Sequence, residues 1–219
     1  MRAVLFDLDR TLLDRDASLE KFVVWQAKGM LRSQVKDTEH FTHRFIELDA
    51  KGTVWKDEVY RVLIDEFAIA GWSVEELTTS YELCFSGFCQ PKQGAVAAVK
   101  ALHQAKLKLG LVSNGRSPFQ ERNFHSLGIS DLFDTVAVSA AVGLRKPERA
   151  IFELTVQRLG VKLSETVFVG DNPIADIQGA KDAGLYSVYI SSGEGDYCDR
   201  ANAVCNHFNE LPDIVANAN

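Results

Sequence analysis

The chain opens on an apolar run, Ala3-Val4-Leu5-Phe6, that gives way at once to Asp7-Leu8-Asp9. This is the pattern of a strand buried on both faces that ends at two carboxylates. From about residue 17 to 88 the period becomes helical. Leu19, Phe22, Val23 and Trp25 begin one amphipathic stretch, Phe41, Phe45, Ile46 and Leu48 a second, and Val59, Val62, Leu63, Ile64 and Phe67 a third. Gly71 marks the expected end of the third helix, and Ser73-Val74-Glu75-Glu76 is a capping box that opens a fourth. Beyond Pro91 strands and helices alternate. Apolar runs at 107–112, Thr135–Val138, 167–169 and Tyr186–Ile190, with a weaker one at Ala203–Cys205, predict strands. Residues 118–127, 147–159 and 174–183 predict helices, with Pro147 at a first helical position and Gly128, Gly160 and Gly184 at helix ends.

Such alternation predicts an α/β fold with a Rossmann-like, mostly parallel sheet covered on both faces. The four helical stretches between the first and second strands predict an inserted helical domain. The expected boundaries are a catalytic core of residues 1–13 and 91–219 and a helical domain of residues 14–90. No internal repeat, low-complexity tract or Pro-rich linker interrupts this plan.

Composition narrows the class without changing it. The 219 residues, 46% hydrophobic and 25% charged, are ordinary for a globular protein large enough to bury a full core. The N-terminal residues lack the apolar span of a secretion signal and no later run could cross a bilayer, so a cytoplasmic protein without a membrane partner is expected. Cys84, Cys89, Cys198 and Cys205 have the spacing of neither a zinc site nor a disulfide framework and are expected as reduced thiols. The net charge of −6 is uneven, since residues 14–90 hold nine Lys and Arg against fourteen Asp and Glu. With no basic stripe, binding to a nucleic-acid polymer is not expected.

In sheets of this kind ligands sit outside the carboxyl ends of the strands, and the polar clusters fall there. Asp7 and Asp9 follow the first strand, Ser113-Asn114-Gly115 the second, Lys146 the third, and Gly170-Asp171 with Asp176 the fourth. Acidic groups, a hydroxyl and amide, and a lysine would meet at one sheet edge. A divalent cation between Asp7 and Asp171 would offset the repulsion between a carboxylate nucleophile and a phosphate dianion. Oxygen-only ligands favour Mg2+. Lys146 and the Ser113 hydroxyl would hold phosphoryl oxygens as charge spreads in the transition state. One carboxylate can attack phosphorus while the other moves protons.

As a set, these segments resemble the haloacid dehalogenase superfamily of phosphotransferases from Met1 to about Ile190. Asp7-Leu8-Asp9-Arg10-Thr11 matches its first motif and Val112-Ser113-Asn114-Gly115 its second. Gly143-Leu144-Arg145-Lys146-Pro147 matches the third, and Gly170-Asp171 with Asp176 the fourth. The resemblance implies that Asp7 is the nucleophile and Asp9 the general acid and base. It implies Mg2+ held by Asp7, the main-chain carbonyl of Asp9 and Asp171, with Asp176 in support, and a mobile cap formed by the helical insertion. Arg10 stands where many members carry glycine and, with Ser113, Asn114 and Lys146, is a candidate substrate-binding residue.

Within that resemblance, Asp9 favours phosphoryl transfer over dehalogenation, because a departing halide needs no proton. The expected activity is therefore a magnesium-dependent phosphatase acting on a small soluble phosphate monoester, as a monomer or homodimer. A nucleoside monophosphate, phosphoglycolate or a sugar phosphate is the candidate substrate. A phosphomutase of the same fold and a non-catalytic protein that binds phosphate ligands are the alternatives. His40, His43 and Glu47 share a helix face and are read as a polar surface rather than a metal site. Trp25, Trp55 and Trp72 are read as packing between helices.

Overall fold

The computed structural model describes residues 1–193 and 195–218. The chain divides into two units, Met1–Asp14 with Pro91–Asn219, and Arg15–Gln90.

In the first unit six parallel strands form one sheet. They are β1 (Ala3–Phe6), β2 (Lys108–Ser113), β3 (Thr135–Val138), β4 (Thr166–Gly170), β5 (Tyr186–Ile190) and β6 (Ala203–Cys205). Their order in the sheet is β3-β2-β1-β4-β5-β6. β1 lies between β2 and β4, with Leu5 paired to Gly110 on one side and Phe168 on the other. All four of its residues are fully buried, as a central strand covered on two faces requires. Side chains alternate across the sheet. Ala3 and Leu5 join Val112, Phe168, Ile151 and Phe152 in one core cluster. Phe6 turns the other way, against Phe133, which meets Phe124 edge-on. Because the strand order reverses direction beside β1, the crevice outside β1 and β4 is where such a sheet binds ligands.

The second unit contains α1 (Arg15–Lys28), α2 (Thr38–Asp49), α3 (Lys56–Glu66) and α4 (Val74–Cys84). Its core is aromatic: Phe22 packs edge-on against Tyr81, and Phe45 against Tyr60. Trp25 lies against Phe88 and Trp55 against Tyr81, in the packing role expected of them. The expected box at Ser73 is formed, its hydroxyl accepting from Glu76 N while the Glu76 carboxylate accepts from Ser73 N. One boundary differs from expectation: α3 ends at Glu66, well before Gly71. The cause is Gln34, whose side chain donates to Ala70 O and accepts from Ala70 N, both at 2.8 Å, drawing that backbone out of the helix.

The remaining helices belong to the first unit. They are α5 (Ala95–Gln104), α6 (Phe119–Ser126), α7 (Ser139–Val142), α8 (Arg149–Leu159), α9 (Gly179–Ala183) and α10 (Leu211–Asn217). No described helix is long and apolar enough to cross a membrane.

Candidate active site

Asp7 leaves β1 with its main chain still in the sheet, donating to Val169 O at 2.9 Å. The residue is 7% exposed. Asp171 stands directly beyond β4. Asp176 returns to the same place because residues Pro173–Gln178 form a π-helical turn, not the regular helix start expected over 174–183. Asp176 N and Ile177 N both donate to Asn172 O, at 3.0 and 3.1 Å, and this wide turn returns the Asp176 carboxylate to the neighbourhood of Asp171. Gly170 makes room for this return: a Cβ there would lie 2.5 Å from the Asp176 side chain. Asn172 fixes the turn, its Oδ1 accepting from Ile174 N and Ala175 N, while Asp176 Oδ2 accepts from Asn172 N at 3.0 Å.

Lys146 reaches this cluster from beyond β3. Its Nζ lies 2.6 Å from Asp7 Oδ1 and 2.7 Å from Asp176 Oδ1, above the Phe168 ring, and the residue is 3% exposed. Asn114 holds its backbone. Asn114 Nδ2 donates to Lys146 O and Lys146 N donates to Asn114 Oδ1, each at 2.9 Å. Both polar ends of the Asn114 side chain are thus engaged in holding Lys146. Residues 145–148 form a turn, Glu148 N donating to Arg145 O at 2.8 Å, so α8 begins at Arg149 and not at Pro147. Ser113 ends β2 with 1% exposure, and its buried Oγ has no hydrogen-bond partner among the described residues. Arg10 occupies the loop after Asp9 at φ 62, a conformation rare for a side chain of its size.

The electrostatics are those of crowded acids around one ammonium. Burial raises the Asp7 carboxyl well above its ordinary range; Lys146 opposes this, while Asp176 and Asp171 add to it. Burial and Asp176 push Asp171 up to about 6, offset in part by Lys146, Arg10 and Lys92. Burial works against the Lys146 ammonium, but the carboxylates of Asp176 and Asp7 prevail and hold it above its usual range. Oxygens of Asp7, Asp171 and Asp176 all lie within 4.8 Å of one another, the one such group of potential metal ligands among the described residues. An all-oxygen set with more negative charge than one lysine offsets fits a hard divalent cation. His40 packs on Phe67 and Glu47 pairs with Arg44, so that face carries ordinary surface contacts.

The sequence reading missed Gln120. From the first turn of α6 its Nε2 donates to Asp9 Oδ2 at 2.6 Å. No motif or period marks it, because the two residues are distant in sequence and meet only through the fold.

A six-stranded doubly wound sheet with an acidic cluster and a lysine at its switch point defines an α/β protein with a charged site at the carboxyl ends of its strands. The chain matches the model of the haloacid dehalogenase-like hydrolase family over residues 1–184, and it belongs to that family. Among curated proteins it is 28% identical to a glyceraldehyde 3-phosphate phosphatase of Methanocaldococcus jannaschii, covering 99% of this chain and 98% of the relative. A pyrimidine 5'-nucleotidase of Escherichia coli is 30% identical over 53% of this chain and 52% of its own length. Among solved structures, a HAD phosphatase from Thermococcus onnurineus superposes with a TM-score of 0.70 at 27% identity, covering 98% of each chain.

Proposed function

We propose that this chain is a magnesium-dependent phosphatase that hydrolyses a small phosphate monoester through an aspartyl phosphate on Asp7. The observation that carries the reading is the buried Asp7 carboxylate at the end of β1, 2.6 Å from Lys146 Nζ and grouped with Asp171 and Asp176. An acid kept out of water beside a lysine is placed to attack an electrophile and not to solvate a surface.

In the first half-reaction an Asp7 oxygen bonds to phosphorus while the ester P–O bond breaks. The departing oxygen keeps the bonding electron pair and takes the proton of Asp9, leaving as the alcohol. In the second, water attacks phosphorus, gives a proton to Asp9 and releases inorganic phosphate, which restores the Asp7 carboxylate. Ser113 Oγ, buried without another partner, and Lys146 Nζ are suited to hold phosphoryl oxygens as charge shifts among them. Asp7, Asp171 and the main-chain carbonyl of Asp9 would hold Mg2+, with Asp176 in support. When bound, the ion would offset the repulsion between nucleophile and phosphate dianion. The helical unit Arg15–Gln90 is the candidate cap that excludes bulk water and selects the leaving group. The reading includes a cytoplasmic setting, with Cys84, Cys89, Cys198 and Cys205 as free thiols.

The test is a phosphate-release screen with magnesium across glyceraldehyde 3-phosphate, nucleoside monophosphates, sugar phosphates and small phosphorylated acids. Release from at least one ester, lost in Asp7→Asn and with chelator, is expected. Interconversion of phosphorylated isomers with little free phosphate would replace the reading with a mutase, and binding without turnover would replace it with a ligand-binding protein.

A further inference from the structure

Gln120 is 4% exposed, and its side-chain nitrogen lies 2.6 Å from a carboxylate oxygen of Asp9, the candidate acid and base. Its Nε2 also approaches Asn114 O at 3.4 Å. Both neighbours are acceptors, so the amide nitrogen must face them and the orientation of the group is fixed by chemistry. The other end of the amide has no such reward: Oε1 is buried and accepts no hydrogen bond from the described residues. An orphaned buried acceptor costs stability, and a leucine or methionine would fill the space without that cost. The sequence also keeps a glycine beside it. A Cβ on Gly115 would come within 2.7 Å of Gln120 Cγ and Nε2, so even alanine there would push the amide away from Asp9. The Gly115 backbone is itself anchored, its N donating to Ser139 Oγ at 2.9 Å and its O accepting from Ala140 N at 3.2 Å.

We infer that Gln120 is a positioning residue for Asp9, holding one carboxyl oxygen so that the proton is carried on the other and delivered to the leaving group. The inference rests on the reading of Asp9 as the acid. A charge-assisted bond of this length is strong and directional. With Oδ2 accepting from Gln120, a proton on the carboxyl resides on Oδ1, which sets the plane and the exit point of the transfer. Gly115 is the space that allows it, and the Ser113–Gln120 stretch thereby aligns three groups at once: Ser113 directly, Lys146 through Asn114, and Asp9 through Gln120.

A misplaced acid harms only those esters that need one. Alkyl phosphates leave as poor alkoxides and depend on the proton, whereas dinitrophenyl phosphate releases a stable phenolate and does not. The experiment measures kcat/KM, which reports formation of the aspartyl phosphate, for glycerol phosphate and dinitrophenyl phosphate with magnesium present. Gln120→Leu and Gly115→Ala are each compared with the wild type, and Asp9→Asn is the control. Both variants are expected to lose about tenfold or more on the alkyl ester while staying within about twofold on the aryl ester. Thermal melts verify folding; if Gln120→Leu does not fold, Gln120→Met, matched in length, takes its place. Equal losses on both esters, or none, overturn the inference. If Asp9→Asn retains the selective loss while the other variants lack it, only Gln120's role fails. If Asp9→Asn is also unselective, the acid role of Asp9 falls and the inference falls with it.

Discussion

At the scale of single residues, Asp7 illustrates how a reactive group opposes stability. Burial, joined by Asp176 and Asp171, raises its pKa against the pull of Lys146. A carboxyl whose folded pKa lies above its unfolded value favours folding when protonated and opposes it when ionised. The opposition is absent at acid pH and grows as pH rises past the unfolded value of about 4. Asp7→Asn keeps the shape without the charge, and Lys146 retains Asp176 at 2.7 Å. We expect this variant to lose turnover, since phosphate-ester hydrolysis needs very large catalytic help. Its melting temperature in chelator at neutral pH should exceed that of the wild type. Retained phosphate release would remove Asp7 as nucleophile, and a lower melting temperature would contradict the electrostatic account.

At the scale of elements, the helical unit is tied together by one acid. Asp49 ends α2, and both its oxygens accept from Arg15 of α1, at 2.8 and 2.9 Å, while Lys56 of α3 also pairs with it. Burial alone would raise the Asp49 carboxyl, but the hydrogen bonds and charge of Arg15, with Lys56, outweigh it and leave it below its ordinary value. A depressed folded pKa stabilises above the unfolded value and is lost as pH falls through the folded one. Acid below about pH 4 should therefore loosen this unit, visible as a drop in its helical circular-dichroism signal. Asp49→Asn should do so at neutral pH, costing about 3–5 kcal/mol because two buried cations lose the carboxylate they share. Ser73→Ala, which removes only a cap, should cost about 1 kcal/mol by chemical denaturation.

These elements also show what the sequence could carry. Strands buried on both faces, such as Val167-Phe168-Val169, and amphipathic helices, such as α1, are visible because burial writes a period into the residues. α5 was not predicted, although its buried residues Ala95, Ala98, Val99 and Leu102 keep the i, i+3, i+4, i+7 spacing of an amphipathic helix. Where α3 stops was set by a partner far off in sequence, Gln34, which no local pattern encodes. Three of the four polar clusters were legible because each directly follows a strand, while Lys146 lies beyond α7. Gln120, held in a helix by tertiary packing alone, was not.

At the scale of the whole molecule, a metal ion held by the acidic cluster would make folding and metal binding one equilibrium. Asp7 and Asp171 are far apart in sequence and are brought together by the pairing of β1 with β4. The unfolded chain therefore offers no comparable site, and an ion that binds only the folded state stabilises it by mass action. Magnesium at about a hundred times its dissociation constant should add about 2.7 kcal/mol, read as a rise in melting temperature that grows with the logarithm of concentration. Asp171 has a pKa raised to about 6 by burial and by Asp176, so ionised Asp171 opposes folding at neutral pH while supplying a ligand to the ion. Asp171→Asn should then split the two effects, melting above the wild type in chelator and losing most of the magnesium-dependent rise. This readout needs no substrate and no turnover, so it tests the metal site separately from the reaction. A rise of equal size in wild type and variant would assign the ion to some other part of the surface, and no rise in either would leave Lys146, with Arg10 and Lys92, to offset the acids around Asp7.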